Sequence, residues 1–329
     1  MRGWCKVAVL KALSLLPFGE RVHFLLQRTA GELRDVSRSP QFRQACFFLG
    51  RVRAHAGCVP QQRVVELGTG WVPVVPLAHA LCGARVDAFD VHRLVRSRVF
   101  REVVQTLPRW AERFAEAAGV PLELVHSRLE EIRTASDLAE ALERLSGSYY
   151  APWDTRRLPY DDAQVDVVVS NLVLQCVPED QLLPLLEETN RVLKPGGLAL
   201  HRVNLTCEYF SDDPRRHPLH LLQFDDATWN RWFNHRLKHL NRLRRAEFLR
   251  LFERAGFSVV EERVRRDEHA AERLKQTELA ERFRRFDWTE LSTTGFEIVL
   301  RKPAASASGR RATTTGRKRN AVEPCLSTR

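Results

Sequence analysis

Residues Arg63 to Asp90 read RVVELGTGWVPVVPLAHALCGARVDAFD, and this stretch decides the fold. Val64 and Val65 lead through Glu66 and Leu67 into Gly68-Thr69-Gly70, an apolar β-branched run that stops at two glycines, where the backbone turns without a Cβ in the way. A ligand can approach bare backbone there. Val74 to Leu81 is apolar and of helical length, Gly83 is a C-terminal stop, and Arg85 to Phe89 reads as a second strand ending on Asp90. The stretch is a strand, a glycine turn, a helix and a strand.

Asp90 lies twenty residues after Gly70, the separation at which an acid ending the second strand can accept hydrogen bonds from both hydroxyls of a ribose. In a dinucleotide fingerprint counted from Gly68, the third glycine falls on Pro73. Proline removes a backbone N–H from the start of the helix and weakens any pyrophosphate cradle. The pattern suits a nucleoside without phosphates and disfavours a nicotinamide-dependent reductase.

Glu66-Leu67-Gly68-Thr69-Gly70 resembles the first motif of the class I S-adenosylmethionine-dependent methyltransferases, an acid, one residue, then Gly-x-Gly. The longer form with Trp71, Pro73 and Pro76 is similar to that of an uncharacterised bacterial subset of small-molecule-type methyltransferase-domain proteins. Three later features carry the same resemblance: Asp90, the loop Asp154-Thr155-Arg156-Arg157-Leu158-Pro159-Tyr160, and the helix ending Lys194-Pro195-Gly196-Gly197. The resemblance covers about residues 60 to 301 and implies S-adenosylmethionine as cofactor. It implies cofactor contacts at Glu66, Gly68, Thr69, Gly70, Asp90, Asp154, Thr155, Asn171 and Leu172, with Asp154 carrying adenine recognition.

Along the chain, residues 1 to 60 show apolar positions at helical spacing, among them Val7, Leu10, Leu13, Phe42, Phe48 and Val52, and predict three or four helices. They form an N-terminal helical cap or, on a sharper reading, a lid or surface-seeking helix. Leu94 to Ala118 reads as a helix or helix pair, Leu122 to His126 as a third strand, and Glu130 to Leu145 as helix. Helical sequence between a third strand and the Asp154 loop departs from the family's order. Asp166 to Asn171 is a buried central strand, Leu182 to Leu193 a helix, and Leu198 to Val203 a fifth strand. Ala246 to Ala255 is helical, Phe257 to Val264 a sixth strand, Glu268 to Phe286 a polar helix, and Thr293 to Arg301 a last strand. Alternating strands and helices predict an α/β, Rossmann-like, doubly wound sheet of seven strands with the last antiparallel. The methyltransferase domain spans 61 to 301, with a substrate-side insertion at about 205 to 245, and 302 to 329 is a disordered basic tail.

The apolar fraction of 44% is that of a globular protein. The formal charge of +11 is concentrated at the end of the chain: residues 302 to 329 hold seven Lys or Arg against one Glu, which leaves about +5 on the other 301. Nucleic acid is therefore not the expected partner. Seven cysteines without a C-x-x-C indicate neither a zinc site nor a disulfide framework, and point to a reducing cytoplasm. The first twenty residues read as an amphipathic helix rather than a signal peptide, because Lys11 interrupts the apolar run. No stretch approaches the roughly 20 apolar residues of a membrane span.

A base for a hydroxyl acceptor is sought after the fifth strand, and His201 and Glu208 are the catalytic candidates; His201 reads equally as a core-edge histidine. Trp229, Trp232, Phe233, His235, His239 and Arg242 to Arg245 form either an aromatic and cationic lining for an anionic or sugar-like acceptor, or an insertion packed on the domain edge. Cys176 reads as a buried small apolar residue. The fourth strand is followed by Ser170-Asn171-Leu172-Val173 in place of the Asn-Pro-Pro-aromatic motif that positions exocyclic amines, which argues against nucleobase N-methylation of that type. The adjacent acids 161–162, 212–213 and 225–226 read as turns, and no metal is expected. Two functions stand: methyl transfer to a small-molecule or carbohydrate-like acceptor, or a non-catalytic binding protein of the same fold that uses its tail and N-terminal helices for partners.

Overall fold

A computed structural model describes residues 3–207, 209 and 218–304. The chain begins with three helices, α1 (Gly3–Ser14), α2 (Gly19–Ala30) and α3 (Gln41–Ala56). Strand β1 (Arg63–Leu67), helix α4 (Val74–Leu81) and strand β2 (Arg85–Phe89) follow as the sequence predicts. Next come α5 (Ser97–Thr106), α6 (Ala111–Ala118), α7 (Leu122–Ile132) and α8 (Leu138–Arg144), then β3 (Ser148–Tyr150) and β4 (Val165–Asn171). Helix α9 (Glu179–Val192) leads into β5 (Leu193–Asn204). After α10 (Asp226–Trp232) and α11 (Arg245–Arg254) come β6 (Ser258–Arg266), α12 (Glu268–Lys275), α13 (Trp288–Leu291) and β7 (Thr293–Arg301).

The seven strands form one sheet in the order β3-β2-β1-β4-β5-β7-β6. Only β7 runs against its neighbours, pairing antiparallel with both β5 and β6. Side chains alternate across the strands, and the alternation divides the core in two. Val64, Val86, Val167 and Leu198 join one cluster with α3 to α8, while Val65, Phe89, Val168 and Ala199 join the other with α9 and α11. Central strands buried on both faces must be apolar throughout, which is why β4 reads as a β-branched run. Helix α4 is buried on every side, consistent with its lack of any polar face. A third cluster holds Val7 and Leu10 of α1 against Trp229, Phe233, Leu274 and Phe283.

Three sequence expectations are corrected. Residues 122 to 126 are not a strand but the first turns of α7. Leu122, Val125, Leu129 and Ile132 repeat at helical spacing, and the last three are buried; the apparent alternation over five residues was too short to separate the two periods. The third strand is Ser148–Tyr150, whose three residues Ser-Tyr-Tyr pair with Asp87 to Phe89. The helical insertion therefore precedes the third strand, and Asp154 follows that strand by four residues. The family order that the sequence seemed to break is restored. The polar helix expected to reach Phe286 ends at Lys275, where the Thr277 hydroxyl donates back to the Arg273 carbonyl (3.1 Å) and a separate short turn forms at Glu281–Phe283. Cys176 is exposed rather than buried: in the short turn after β4, Leu174 and Gln175 take the buried positions and Cys176 faces out.

Among the described residues, no helix is long and apolar enough to cross a membrane. Glu208, the acidic pair at 212–213 and the tail from residue 305 lie outside the described residues.

Candidate functional site

The pairing of β1 with β2 ends at the glycine turn, where the amides of Gly68 and Thr69 both donate to the Phe89 carbonyl, at 2.7 and 3.4 Å. Both glycines have positive φ, +74° at Gly68 and +67° at Gly70, but for different reasons. A Cβ on Gly68 would lie 2.5 Å from the Val173 side chain, so the chain's own packing requires glycine there. A Cβ on Gly70 would meet nothing within 4 Å. The space above Gly70 is open for a ligand to lie on the backbone.

Asp90 closes this turn from the end of β2. Its Oδ2 accepts the Gly70 N–H (2.8 Å) and its Oδ1 accepts the His92 N–H (2.9 Å), which leaves further lone pairs on each oxygen. The side chain is buried, and burial raises its pKa against the opposing pull of those two amides.

Three unpartnered polar atoms surround this carboxylate. Glu66 Oε2, the Thr69 hydroxyl and the Tyr149 hydroxyl are all buried without a hydrogen-bond partner. Glu66 and Tyr149 flank Ala88 in one cross-strand row, so their side chains emerge on the same face of the sheet with only a methyl between them. Burial pushes the Glu66 carboxyl up to about 8 against the pull of the neighbouring Thr69 hydroxyl, and the Asp90 charge adds to the shift. Burial likewise pushes the Tyr149 phenol up to about 12, with Asp90 and Glu66 contributing. Buried polar groups are ordinarily paired, so three orphans beside an open glycine turn mark a place where a polar ligand belongs. Tyr149 was not identified from the sequence, because the strand that carries it is only three residues long.

Asp154 sits close by through the backbone. The Trp153 amide donates to the Asp90 carbonyl (2.8 Å), which ties the start of the Asp154 turn to the end of β2. The Asp154 carboxylate itself is half exposed and forms a two-point ion pair with Arg156, both contacts at 2.9 Å. Arg156 holds its pKa below the usual carboxylate range. Thr155 is half-buried in the same turn.

Asn171 and Leu172 end β4 on the side of α3. Asn171 donates to Gln44 Oε1 (2.7 Å) and accepts from Arg202 (3.3 Å), and Arg202 pairs with Glu297 (2.8 Å). Leu172 adopts φ +61°, a left-handed conformation that costs a branched residue energy. Its N–H donates to the Arg202 carbonyl (2.9 Å) and its carbonyl accepts from Gln175 (2.9 Å), which together hold it there. Gln44 belongs to a helix whose sequence carries only packing signals, and its role depends on contacts 127 residues apart.

The structure places His201 in the core, the second of its two readings. Its ring stacks on Phe252 at 5.7 Å, Nδ1 lies 2.7 Å from the Ser170 hydroxyl, and burial depresses its pKa to about 3. It points into the α9 and α11 face, whereas Glu66, Tyr149 and Asn171 project from the opposite face. Much of the aromatic and basic stretch after β5 packs inward, while Trp232 stays exposed and His235, His239 and Arg245 are half-buried. Trp229 stacks on Phe233 at 4.3 Å, the Arg242 guanidinium lies over the Trp229 ring at 4.8 Å, and Arg244 is spent on the carbonyls of Leu205, Glu290, Leu291 and Thr293. Trp229, Phe233, Arg242 and Arg244 thus build a core. Helix α2 meets the turn from outside, with Phe24 stacked on Trp71 at 5.3 Å and His23 edge-on at 6.3 Å.

A groove of about 830 Å³ lies elsewhere, between α3 and α6, with Arg43, Arg53, Trp110 and Arg113 on its walls. It contains no residue of the glycine turn or of β1, β2 or β4.

The family described as "Methyltransferase domain" matches residues 23–262. Solved structures similar to this chain include a SAM-dependent methyltransferase from Methanosarcina mazei, 16% identical over 75% of this chain and 94% of that one, with a TM-score of 0.39. They also include the 1,6-didemethyltoxoflavin-N1-methyltransferase of Burkholderia thailandensis, 15% identical over 86% of this chain and 87% of that one, with a TM-score of 0.42. An S-adenosylmethionine-dependent methyltransferase from Mesorhizobium loti is 17% identical over 76% of this chain and 95% of that one, with a TM-score of 0.39. No curated protein matches the sequence.

Proposed function

This S-adenosylmethionine-dependent methyltransferase belongs to the methyltransferase-domain family matched over residues 23–262, and we propose that its methyl acceptor is a small, polar, carbohydrate-like molecule received where β4 and β5 end. The open backbone at Gly70 beside the Asp90 carboxylate, with the orphaned atoms of Glu66, Thr69 and Tyr149, supports the cofactor half of the reading, and the polar set Gln44, Asn171, Arg202 and Glu297 supports the acceptor half.

The residues divide the cofactor between them by chemistry. Asp90, already fixed by two amides, has lone pairs left for both ribose hydroxyls. Glu66 and Thr69 would hold the amino-acid end, where a buried carboxyl of raised pKa gains a cationic partner. Asp154 and Thr155 would take the adenine edge, with Asp154 giving up one of its contacts to Arg156. Bound there, S-adenosylmethionine supplies an activated methyl on sulfur. Holding the acceptor in line is then the main task of the protein, and alignment of this kind is worth up to about 7 to 11 kcal/mol.

Gln44, Asn171, Arg202 and Glu297 offer amide, guanidinium and carboxylate groups at the carboxyl ends of β4 and β5, a set suited to hydroxyls rather than to an apolar face. With His201 in the core, alignment rather than that imidazole carries the reaction.

Calorimetric titration of S-adenosylmethionine tests the cofactor half: no binding at high micromolar ligand would sink it. Transfer of a labelled methyl group into fractionated small-molecule extracts tests the acceptor half. Label appearing only in macromolecules would overturn the small-molecule reading.

A further inference from the structure

We infer that the turn between α1 and α2 is a membrane-docking tip that inserts its apolar residues into an anionic lipid surface. The turn is Leu15-Leu16-Pro17-Phe18, and all four residues are exposed. Leu15 is 77% exposed, Phe18 55% and Leu16 41%, and Leu25, further along α2, is 59% exposed. Four consecutive apolar residues turned to solvent violate ordinary patterning unless they serve a function. Six of the eleven exposed large hydrophobic side chains of the described residues fall between positions 4 and 25, so the exposure is concentrated and not scattered.

The tip is built rigidly. A Cβ on Gly19 would lie 1.8 Å from the Leu13 carbonyl oxygen, so only glycine permits this close reversal. The Leu16 carbonyl accepts the Gly19 N–H at 3.1 Å and the Arg236 guanidinium at 2.9 Å. The roots of the hairpin are anchored: Val7 and Leu10 are buried in the third core cluster, and Arg28 makes a two-point ion pair with Glu102. Exposure at the tip is therefore not the fraying of a loosely held element.

Charge selects the occupant. Arg21 and Arg236 are exposed at the tip, and residues 1 to 31 hold five Lys or Arg, of which Arg28 is paired with Glu102, against a single Glu. Exposed leucine and phenylalanine flanked by cations are the composition of an interfacial anchor, which gains apolar burial and headgroup attraction together. A protruding reversal also suits a bilayer, which needs no matching cavity. The inference does not depend on the acceptor proposed above.

Flotation of the full chain with phosphatidylcholine vesicles, with and without phosphatidylglycerol, tests it. The protein is expected to float with the anionic vesicles and to be released by salt. The combined variant Leu15→Ser, Leu16→Ser and Phe18→Ser should lower the partition coefficient by about tenfold or more, while a single cooperative melting transition is retained because the buried anchors Val7 and Leu10 are untouched. Arg21→Glu with Arg236→Glu should remove the preference for phosphatidylglycerol. Failure of the wild type to float, or equal flotation of the serine variant, would overturn the inference. So would sedimentation showing a dimer that the serine variant converts to monomer, since the tip would then be a contact between copies.

Discussion

The Gly70 amide donates to Asp90 Oδ2 at 2.8 Å, joining the glycine turn to the residue twenty positions later that ends β2. This one bond fixes the carboxylate at the mouth of the turn, and it explains why both residues are needed at that separation. Replacing Asp90 by Ala removes two charge-assisted acceptors that the ribose would use and leaves the Gly70 and His92 amides without partners. Affinity for S-adenosylmethionine should fall by about a hundredfold or more in calorimetry. Unchanged affinity would mean that the ribose lies elsewhere.

The two glycines of the turn should separate stability from binding. Gly68→Ala forces a methyl against the stiff Val173 side chain at a positive φ, and thermal unfolding should show a loss of about 2 to 4 kcal/mol. Gly70→Ala meets no neighbour and should cost only about 1 kcal/mol for its left-handed backbone. Its methyl projects into the space assigned to the cofactor, so Gly70→Ala should lose binding while it keeps most of its stability.

What the sequence made legible was local. Gly68, Gly70 and Asp90 fall within one βαβ unit, where turn chemistry and residue spacing act at short range. The third strand escaped because Ser148–Tyr150 is too short to show a period, whereas Leu122 to His126 imitated one. That error also misplaced the insertion and hid Tyr149, which reaches the site only through pairing with Ala88. Gln44 and the inward packing of Trp229, Arg242 and Arg244 depend on contacts between distant segments, and residue type alone gave no sign of which way those side chains turn.

The Tyr149 hydroxyl has no partner in the free protein, so Tyr149→Phe removes a polar group whose burial costs about 1 to 3 kcal/mol. Thermal stability without ligand should stay level or rise. The additional stabilisation given by S-adenosylhomocysteine should shrink, because the bound state loses a hydrogen bond. Equal ligand-induced shifts in the two proteins would remove Tyr149 from the site.

Glu66 predicts a pH dependence with a definite sign. Its pKa is raised to about 8 by burial, so between the unfolded value and 8 the folded state binds the extra proton, and stability falls as pH rises through that window. A cationic ligand beside Glu66 favours the carboxylate, so binding should release a proton and tighten as pH rises from about 6 towards 8. Calorimetry in buffers of different ionisation enthalpy measures that proton. Glu66→Gln should abolish the release and flatten the slope.

His201 carries the opposite sign and separates a core residue from a base. Its pKa is depressed to about 3, so between there and about 6.5 the unfolded chain binds the extra proton, and stability should fall as pH is lowered through that range. One such group contributes a slope of at most about 1.4 kcal/mol per pH unit. His201→Asn should flatten this acid limb by close to one proton in denaturant titrations across pH, while costing stability at neutral pH through the lost stacking on Phe252. The pH profile of methyl transfer, measured where the variant remains folded, should keep its shape, because an imidazole sealed against Ser170 and Phe252 exchanges no proton with an acceptor on the other face of the sheet. Loss of a catalytic limb near the ordinary histidine pKa in that variant would return His201 to the reaction.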